Sequence, residues 1–170
     1  MEDKPGQQLL TQSLPTKEVL FRVFVPLEPF ADREGSEGTK RKANLRKAIL
    51  GKVSEEELQR SKEKLRNRTV SLSVVFYLWK GPPTTAETTW TKDIDNLLKV
   101  VFDVLGSGAE GLELIEDDGY ICNVQATKLL VTDKTEKGYE IKLLEYKDDR
   151  MLRSLNESST RKRGIARRAV

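Results

Sequence analysis

Residues 92–106 read Lys-Asp-Ile-Asp-Asn-Leu-Leu-Lys-Val-Val-Phe-Asp-Val-Leu-Gly. Apolar residues recur here at i, i+3, i+4, i+7, i+8 and i+11, which predicts a helix with one face against a core. This apolar stripe consists of Ile94, Leu97, Leu98, Val101, Phe102 and Leu105. Asp93 at the N-cap position and Gly106 just past the last turn predict where the helix begins and ends.

The polar face of this helix carries charges that are suited to metal chemistry. Asp95, Lys99 and Asp103 are spaced at i, i+4 and i+8 and therefore form one line, and Asp93 adds a carboxylate at the helix start. A second acidic group, Glu116-Asp117-Asp118, follows a short connection later. Divalent ions require convergent oxygen ligands of this kind. If the sheet brings Asp118 beside the start of the helix, three carboxylates could hold one or two Mg²⁺ ions.

Each of these features also has an ordinary structural explanation. An N-cap aspartate satisfies free amides at a helix start, and Asp95 with Lys99 is a common i, i+4 ion pair. Asp118-Gly119 is a frequent tight-turn dipeptide between two strands. The occurrence of both acidic groups and the lysine in one short region favours a functional site.

The two acidic blocks together resemble the signature of RusA-type Holliday junction resolvases. The first block is Asp93-x-Asp95-Asn96-x-x-Lys99-x-x-x-Asp103, and the second is Ile115 followed by Glu116-Asp117-Asp118. The resemblance implies metal ligands at Asp93, Asp95 and Asp118, and an essential lysine at Lys99. Asn96, Asp103 and Asp117 also match the motif, and we expect them to orient the ligands.

The resemblance also implies a cofactor, a substrate and an assembly. The cofactor is Mg²⁺, with Mn²⁺ as a substitute ion, and the substrate is branched DNA such as a four-way junction. Resolving a junction needs two incisions related by a two-fold axis, which a two-fold homodimer would provide. The order of predicted strands and helices independently predicts an α+β fold, a small mixed β-sheet with helices packed mainly on one side.

Composition narrows the chemistry that is open to this chain. The 170 residues include no histidine and a single cysteine, Cys122. The sequence therefore excludes a histidine base, a Ser-His triad, a Cys/His zinc site and an internal disulfide framework. It has neither a membrane-spanning apolar run nor a signal-peptide pattern at residues 1–10, so we expect a cytoplasmic protein without a membrane partner.

The net charge of +3 is unevenly distributed. Residues 40–68 contain eleven Lys and Arg against four Glu, and residues 150–170 contain seven against one. A basic exterior around an acidic centre suits a bound polyanion, although such charge runs are often only solvated faces. The candidate nucleic-acid contacts are Lys92, Arg161, Lys162, Arg163, Arg167 and Arg168.

The remaining pattern predicts one nuclease domain at residues 17–146, between a flexible lead-in at 1–16 and a basic tail at 147–170. Alternating apolar residues predict strands at 17–25, 69–79, 112–115, 120–131 and 139–146. Helices are predicted at 44–50 and at 54–68, where Ser54 and Glu57 form a capping box. Glycine, proline or charge predicts loops at 26–38 and 80–91 and a hairpin turn at 133–138.

These features favour a Mg²⁺-dependent endodeoxyribonuclease acting on branched DNA in recombination and repair. A non-catalytic DNA-binding protein on the same fold is one alternative, although such a protein gains nothing from carboxylates near phosphate. A metal-dependent nuclease of unbranched nucleic acid would have the same site and is the other.

Overall fold

A computed structural model describes residues 17–32, 35–80, 92–109 and 111–146 of the chain. These residues form a four-stranded sheet and three α-helices. The strands are β1 (Val19–Val25), β2 (Val70–Trp79), β3 (Ile121–Val131) and β4 (Gly138–Glu145). The helices are α1 (Ser36–Leu50), α2 (Glu55–Leu65) and α3 (Ile94–Leu105).

The sheet is mixed, with the strand order β1-β4-β2-β3. Strand β4 pairs antiparallel with both β1 and β2, whereas β3 runs parallel to β2. Alternate residues of β2 from Val70 to Leu78 are buried, while Ser73, Val75, Tyr77 and Trp79 on the other face are half-buried. The predicted α+β class with a mixed sheet is therefore confirmed, and the core lies on the face that the helices cover.

Helix α3 begins after Asp93 and ends before Gly106, as the sequence predicts. Its buried stripe is rotated relative to the prediction, because Val100 and Val104 are completely buried while Leu98 and Phe102 are only half-buried. Residues 100–102 are all apolar, so the sequence is compatible with burial of either of two neighbouring helix faces. The apolar pattern alone could not decide which face packs against the core.

The two helices between β1 and β2 agree with the sequence only in part. The capping box of α2 is present, with the Glu57 amide donating to the Ser54 hydroxyl at 3.2 Å. Helix α1 begins at Ser36, eight residues before the predicted start at Asn44. Its first two turns lack large apolar residues and bury Gly38 instead, so hydrophobic periodicity could not reveal them.

The predicted strand at 112–115 is wrong, because this segment caps the end of α3. The amides of Leu112 and Leu114 donate to the carbonyls of Val104 and Leu105 at 2.8 and 3.0 Å. A helix leaves its last carbonyls without internal partners, and here the following segment supplies them. Gly111 is required for this close approach, since a Cβ at that position would lie 2.0 Å from the Gly106 carbonyl oxygen.

The predicted hairpin between β3 and β4 is also wrong. The connection contains a short 3-10 turn at Lys134–Glu136 and carries the chain past β2, so that β4 lies between β1 and β2. The side chains explain this order, because Tyr139, Ile141 and Leu143 of β4 are completely buried. Six of the eleven residues of strand β3 are exposed and none is buried, so this strand suits the edge.

Several predictions fall outside the described residues. These are the lead-in, the loop at 81–91 and the tail with its five candidate DNA contacts Arg161, Lys162, Arg163, Arg167 and Arg168. In the part of the chain that the structure describes, none of the helices has the length and apolar character needed to cross a membrane.

Candidate functional site

The start of α3 presents two carboxylates and a lysine that make no side-chain contact of a structural kind with the described part of the fold. Asp93, Asp95 and Lys99 are all exposed. Asp93 occupies the N-cap position, but its side chain makes no capping hydrogen bond. Neither Asp95 nor Lys99 forms an ion pair with any residue that the structure describes. The ordinary explanations for these three side chains, an N-cap and an i, i+4 pair, therefore do not hold among those residues.

Three contacts fix this helix start against the loop after β1 and against β3. The Lys92 ammonium donates to the Pro29 carbonyl at 2.7 Å, and the Asp32 amide donates to the Asn96 carbonyl at 3.0 Å. The Lys128 ammonium of β3 donates to the Lys92 carbonyl at 2.9 Å. Lys92, a predicted DNA contact, thus has a clear structural role, and its side chain is only 26 % exposed.

The other end of α3 is held by an ion-pair cluster that the sequence did not suggest. The Lys42 ammonium lies 2.6 Å from an Asp103 carboxylate oxygen and 2.7 Å from an Asp32 carboxylate oxygen. Hydrogen bonding to Asp103, and then to Asp32, raises the pKa of Lys42 above its ordinary value. The cluster joins α1, the loop after β1 and the last turns of α3. Asp103, predicted to orient metal ligands, is therefore bound to Lys42.

Asp118 lies at this same end of α3. It lines a cavity of about 430 Å³ together with Lys42, Asp103 and the glycine-containing connection at 106–109. Asp118 begins a 3-10 turn just before β3, where its neighbour Asp117 accepts a hydrogen bond from the Gly119 amide at 2.6 Å. Because neighbouring strand residues point to opposite faces, only one of these two aspartates is predicted to aim at the site. In the 3-10 turn, Asp117 is used locally and Asp118 lines the cavity.

The two acidic groups of the predicted site are thus at opposite ends of α3. Asp93 and Asp103 are ten residues apart, which corresponds to about 15 Å along a helix axis. Two ligands of one Mg²⁺ ion must lie within about 4 Å of each other, since each is about 2 Å from the ion. The expected approach of Asp118 to the helix start does not occur within one chain. Consistently, the described ranges contain no group of three or more Asp, Glu, Cys or His side chains arranged to hold a metal.

Sequence reasoning missed Lys42 and Asp32, although they position the end of α3. Lys42 is the third of three consecutive basic residues in a segment without apolar periodicity. Its partners Asp32 and Asp103 are ten and sixty-one residues away in the sequence. These three residues come together only because α1 packs against α3. Their spacing in the sequence therefore could not indicate an ion-pair cluster.

The arrangement provides one exposed acidic group with a lysine at the start of α3 and one acidic cavity at its end. Either group alone is too small to enclose a Mg²⁺ ion, and the described residues of one chain therefore do not fit the metal site that the motif implies. No protein-family model matches the chain, and no curated protein matches it.

Proposed function

We propose that the protein is a Mg²⁺-dependent endodeoxyribonuclease that cuts branched DNA such as four-way junctions. The observation that carries the proposal is the exposed group Asp93, Asp95 and Lys99, which has no role in holding together the described fold. Because the helix start is fixed and these charges are not used within it, they are available to bind a cation and an anion together. The motif resemblance and the absence of histidine favour the same chemistry.

In this proposal the acidic side chains bind the metal ion and the basic side chain binds the phosphate. Asp93, Asp95 and Asp118 supply oxygen ligands, and a divalent ion bound by them would activate water and neutralise charge on a phosphodiester. Lys99, about one turn further along the helix, would bind the phosphate oxygens or the leaving oxygen. Lys42 would hold the last turns of α3, and with them the wall of the cavity, in place.

We propose further that two copies are needed to complete each site. Because Asp118 and the Asp93–Asp95 group lie at opposite ends of α3, a second chain would supply the group that is missing at each end. A two-fold axis does this twice, since it brings the start of α3 of each copy beside Asp118 of the other. Two sites then form per dimer, as two symmetric incisions in a junction require.

The edge strand β3 offers a surface for this pairing. Its outer edge has no neighbouring strand within the described residues, and Val124 and Leu129, which lie on opposite faces of the strand, are 42 % and 44 % exposed. An antiparallel pairing of two such edges would bring the beginning of one β3 toward the end of the other. Asp118 precedes β3, and Lys128 near its end contacts the residue before Asp93. This pairing is therefore compatible with the shared site.

The experiment is cleavage of a synthetic four-way junction beside a linear duplex of the same sequence, with and without Mg²⁺. We expect cutting of the junction only, and only with the metal. Asp95→Asn and Asp118→Asn should each abolish cleavage while binding persists or tightens, because each removes a negative charge that faces phosphate.

Asp133→Asn is the matched control. Asp133 is an exposed aspartate in the turn before β4, and its Oδ1 accepts a hydrogen bond from the Thr135 amide, which an asparagine oxygen can also accept. This variant should cut at the wild-type rate. Cleavage by Asp95→Asn or Asp118→Asn within a few-fold of wild type would show that the ligand assignment is wrong. Equal cutting of the linear duplex would show that the enzyme is not selective for branches.

A further inference from the structure

A second pocket lies beside the start of α3, where Lys92 forms part of its lining. Its volume is about 300 Å³, near the lower limit for pockets that hold small ligands. Leu27, Pro29 and Phe30 form its apolar walls, and Glu28, Arg41, Asn44 and Lys92 provide polar groups. A pocket of this size and composition suits one planar ring system better than a stretch of stacked bases.

The pocket is built on a loop whose backbone is tightly held. The Leu27 amide donates to the Val25 carbonyl at 2.8 Å, and the Phe30 amide donates to the buried Tyr139 hydroxyl at 3.0 Å. The contact between Lys92 and the Pro29 carbonyl closes the side next to α3. A preformed wall reduces the ordering cost of binding.

Arg41 gives the pocket a flat, charged surface. Its guanidinium carbon lies 5.7 Å from the centre of the Phe30 ring, and an ion pair with Glu37 on the same helix restrains the group. The Phe30 ring is only 6 % exposed, so a ligand would contact the outer side of the guanidinium and not the ring itself. Unpaired nucleobases stack on arginine planes of this kind.

Asn44 could distinguish one base from another. It is exposed on α1, one turn after Arg41, and has no hydrogen-bond partner among the residues that the structure describes. A side-chain amide offers one donor and one acceptor side by side, which is the arrangement that recognises adenine by two hydrogen bonds. Lys92 and Lys137 share Glu28, at 3.5 and 3.8 Å, so the surroundings keep an excess of positive charge for nearby phosphates.

We propose that this pocket receives one unpaired nucleobase of the DNA strand that is cut, and that Asn44 reads its edge. Lys92 lines the pocket and directly precedes Asp93, so the base would belong to a nucleotide close to the scissile phosphate. Branch points present bases that are easily unstacked, which lowers the cost of moving one into a pocket. This inference rests on the function proposed above and adds to it a preference for the base near the cut.

The binding test uses the Asp118→Asn protein and four-way junctions that carry a single 2-aminopurine at successive positions around the branch. We expect fluorescence to rise about twofold or more at one position when protein binds, because that base leaves the DNA stack. Arg41→Ala and Arg41→Lys should both abolish the rise, since lysine keeps the charge but has no plane for stacking. The inference would be overturned if Arg41→Lys retained the increase in fluorescence. It would also be overturned if the protein bound the junctions without an increase in fluorescence at any position.

The specificity test measures cleavage of junctions with each of the four bases at the responsive position. Wild type should prefer one base by about tenfold, the range that one bidentate contact supplies. Asn44→Ala should lower cutting of the preferred junction to the level of the other three. Gln59→Ala is the control, because Gln59 is an exposed amide on α2 that lines a different cavity, and it should keep the preference.

The two tests separate this inference from the proposed function. If wild type cuts junctions with Mg²⁺ but Asn44→Ala retains the full base preference, the pocket assignment is wrong and the nuclease stands. If wild type neither cuts nor binds any junction, the proposed function fails first.

Discussion

Mixing two inactive variants provides a direct test of the shared site. Asp95→Asn removes a carboxylate at the start of α3, and Asp118→Asn removes one at the opposite end. If each site takes Asp95 from one copy and Asp118 from the other, a mixed dimer has one site with both substitutions and one site with neither. Asp118 lines a cavity with Asp103, which is eight residues and therefore about 12 Å along the helix from Asp95, so this arrangement is the expected one.

The size of the recovery follows from the symmetry. Random exchange of equal amounts of the two variants gives about one half mixed dimers, and each has one intact site of two, so about one quarter of all sites are restored. At equal total protein we expect nicking at about one quarter of the wild-type rate. Since no dimer has two intact sites, the product should be a nicked junction and not a pair of resolved duplexes.

The assay compares denaturing and native gels of an end-labelled four-way junction with protein in excess. Asp95→Asn mixed with the double variant Asp95→Asn/Asp118→Asn is the matched control, because no combination of these chains forms an intact site. Subunit exchange is followed separately by energy transfer between labelled chains. If chains exchange and the first mixture remains inactive, both carboxylates act within one chain and the reasoning from the helix geometry is refuted.

Three further predictions concern stability and DNA binding. Lys42→Met should lower the free energy of unfolding by about 1–2 kcal/mol at neutral pH, measured by urea denaturation, because two carboxylates are left without a charged partner. Since the pKa of Lys42 is raised in the folded state, this deficit should persist up to pH 10.5 and shrink as the pH rises through the raised value. Leu97→Ala should cost about 3 kcal/mol, because Leu97 is completely buried, whereas the half-buried Leu98→Ala should cost clearly less. Deleting residues 150–170 removes seven basic side chains and should flatten the salt dependence of junction binding, by up to about 0.9 in slope for each phosphate that the tail neutralises. An unchanged slope in anisotropy titrations would mean that the tail does not contact DNA.

The elements that were predicted correctly from the sequence are those fixed by residues close together in the chain. Asp93 and Gly106 set the ends of α3 through backbone preferences that act within a few residues. Ser54 and Glu57 form the capping box of α2 in the same way. The strict alternation of β2 reflects a real difference between its two faces, since one is buried and the other half-buried.

The elements that were predicted wrongly depend on distant partners. Leu112 and Leu114 show the alternation of a strand, but their amides donate hydrogen bonds to the free carbonyls at the end of α3 and not to a neighbouring strand. Glu113 between them has φ 56°, in the left-handed region, which ends any extended run. The position of β4 between β1 and β2 depends on how much apolar surface each strand buries, and turn residues carry no information about that.

The candidate site likewise contains some residues that are close together in the sequence and others that come from distant segments. The motif identified Asp93, Asp95 and Lys99 through helical spacing, and these three do lie together on the exposed start of α3. It could not reveal Lys42 or the pocket around Arg41 and Asn44, because these residues lie on α1 and approach α3 only through tertiary packing. A helical motif reports which residues share a face, and not which other chain segments approach that face.

The length of α3 is therefore the quantity that connects the fold to the proposed activity. Had β3 begun beside the start of the helix, Asp118 would have completed a metal site within one chain and a monomer would suffice. The parallel pairing of β3 with β2 instead aligns Ile121 with Val70, the first residue of β2, at the end of the sheet opposite to Trp79. Helix α3 runs from the Trp79 end of the sheet to the Val70 end. Asp118 is therefore separated from Asp93 and Asp95 by most of the length of the helix. In the proposed dimer, a second copy related by a two-fold axis would remove that separation at both ends at once. The same symmetry would place two cutting sites about one helix length apart, as two symmetric incisions require.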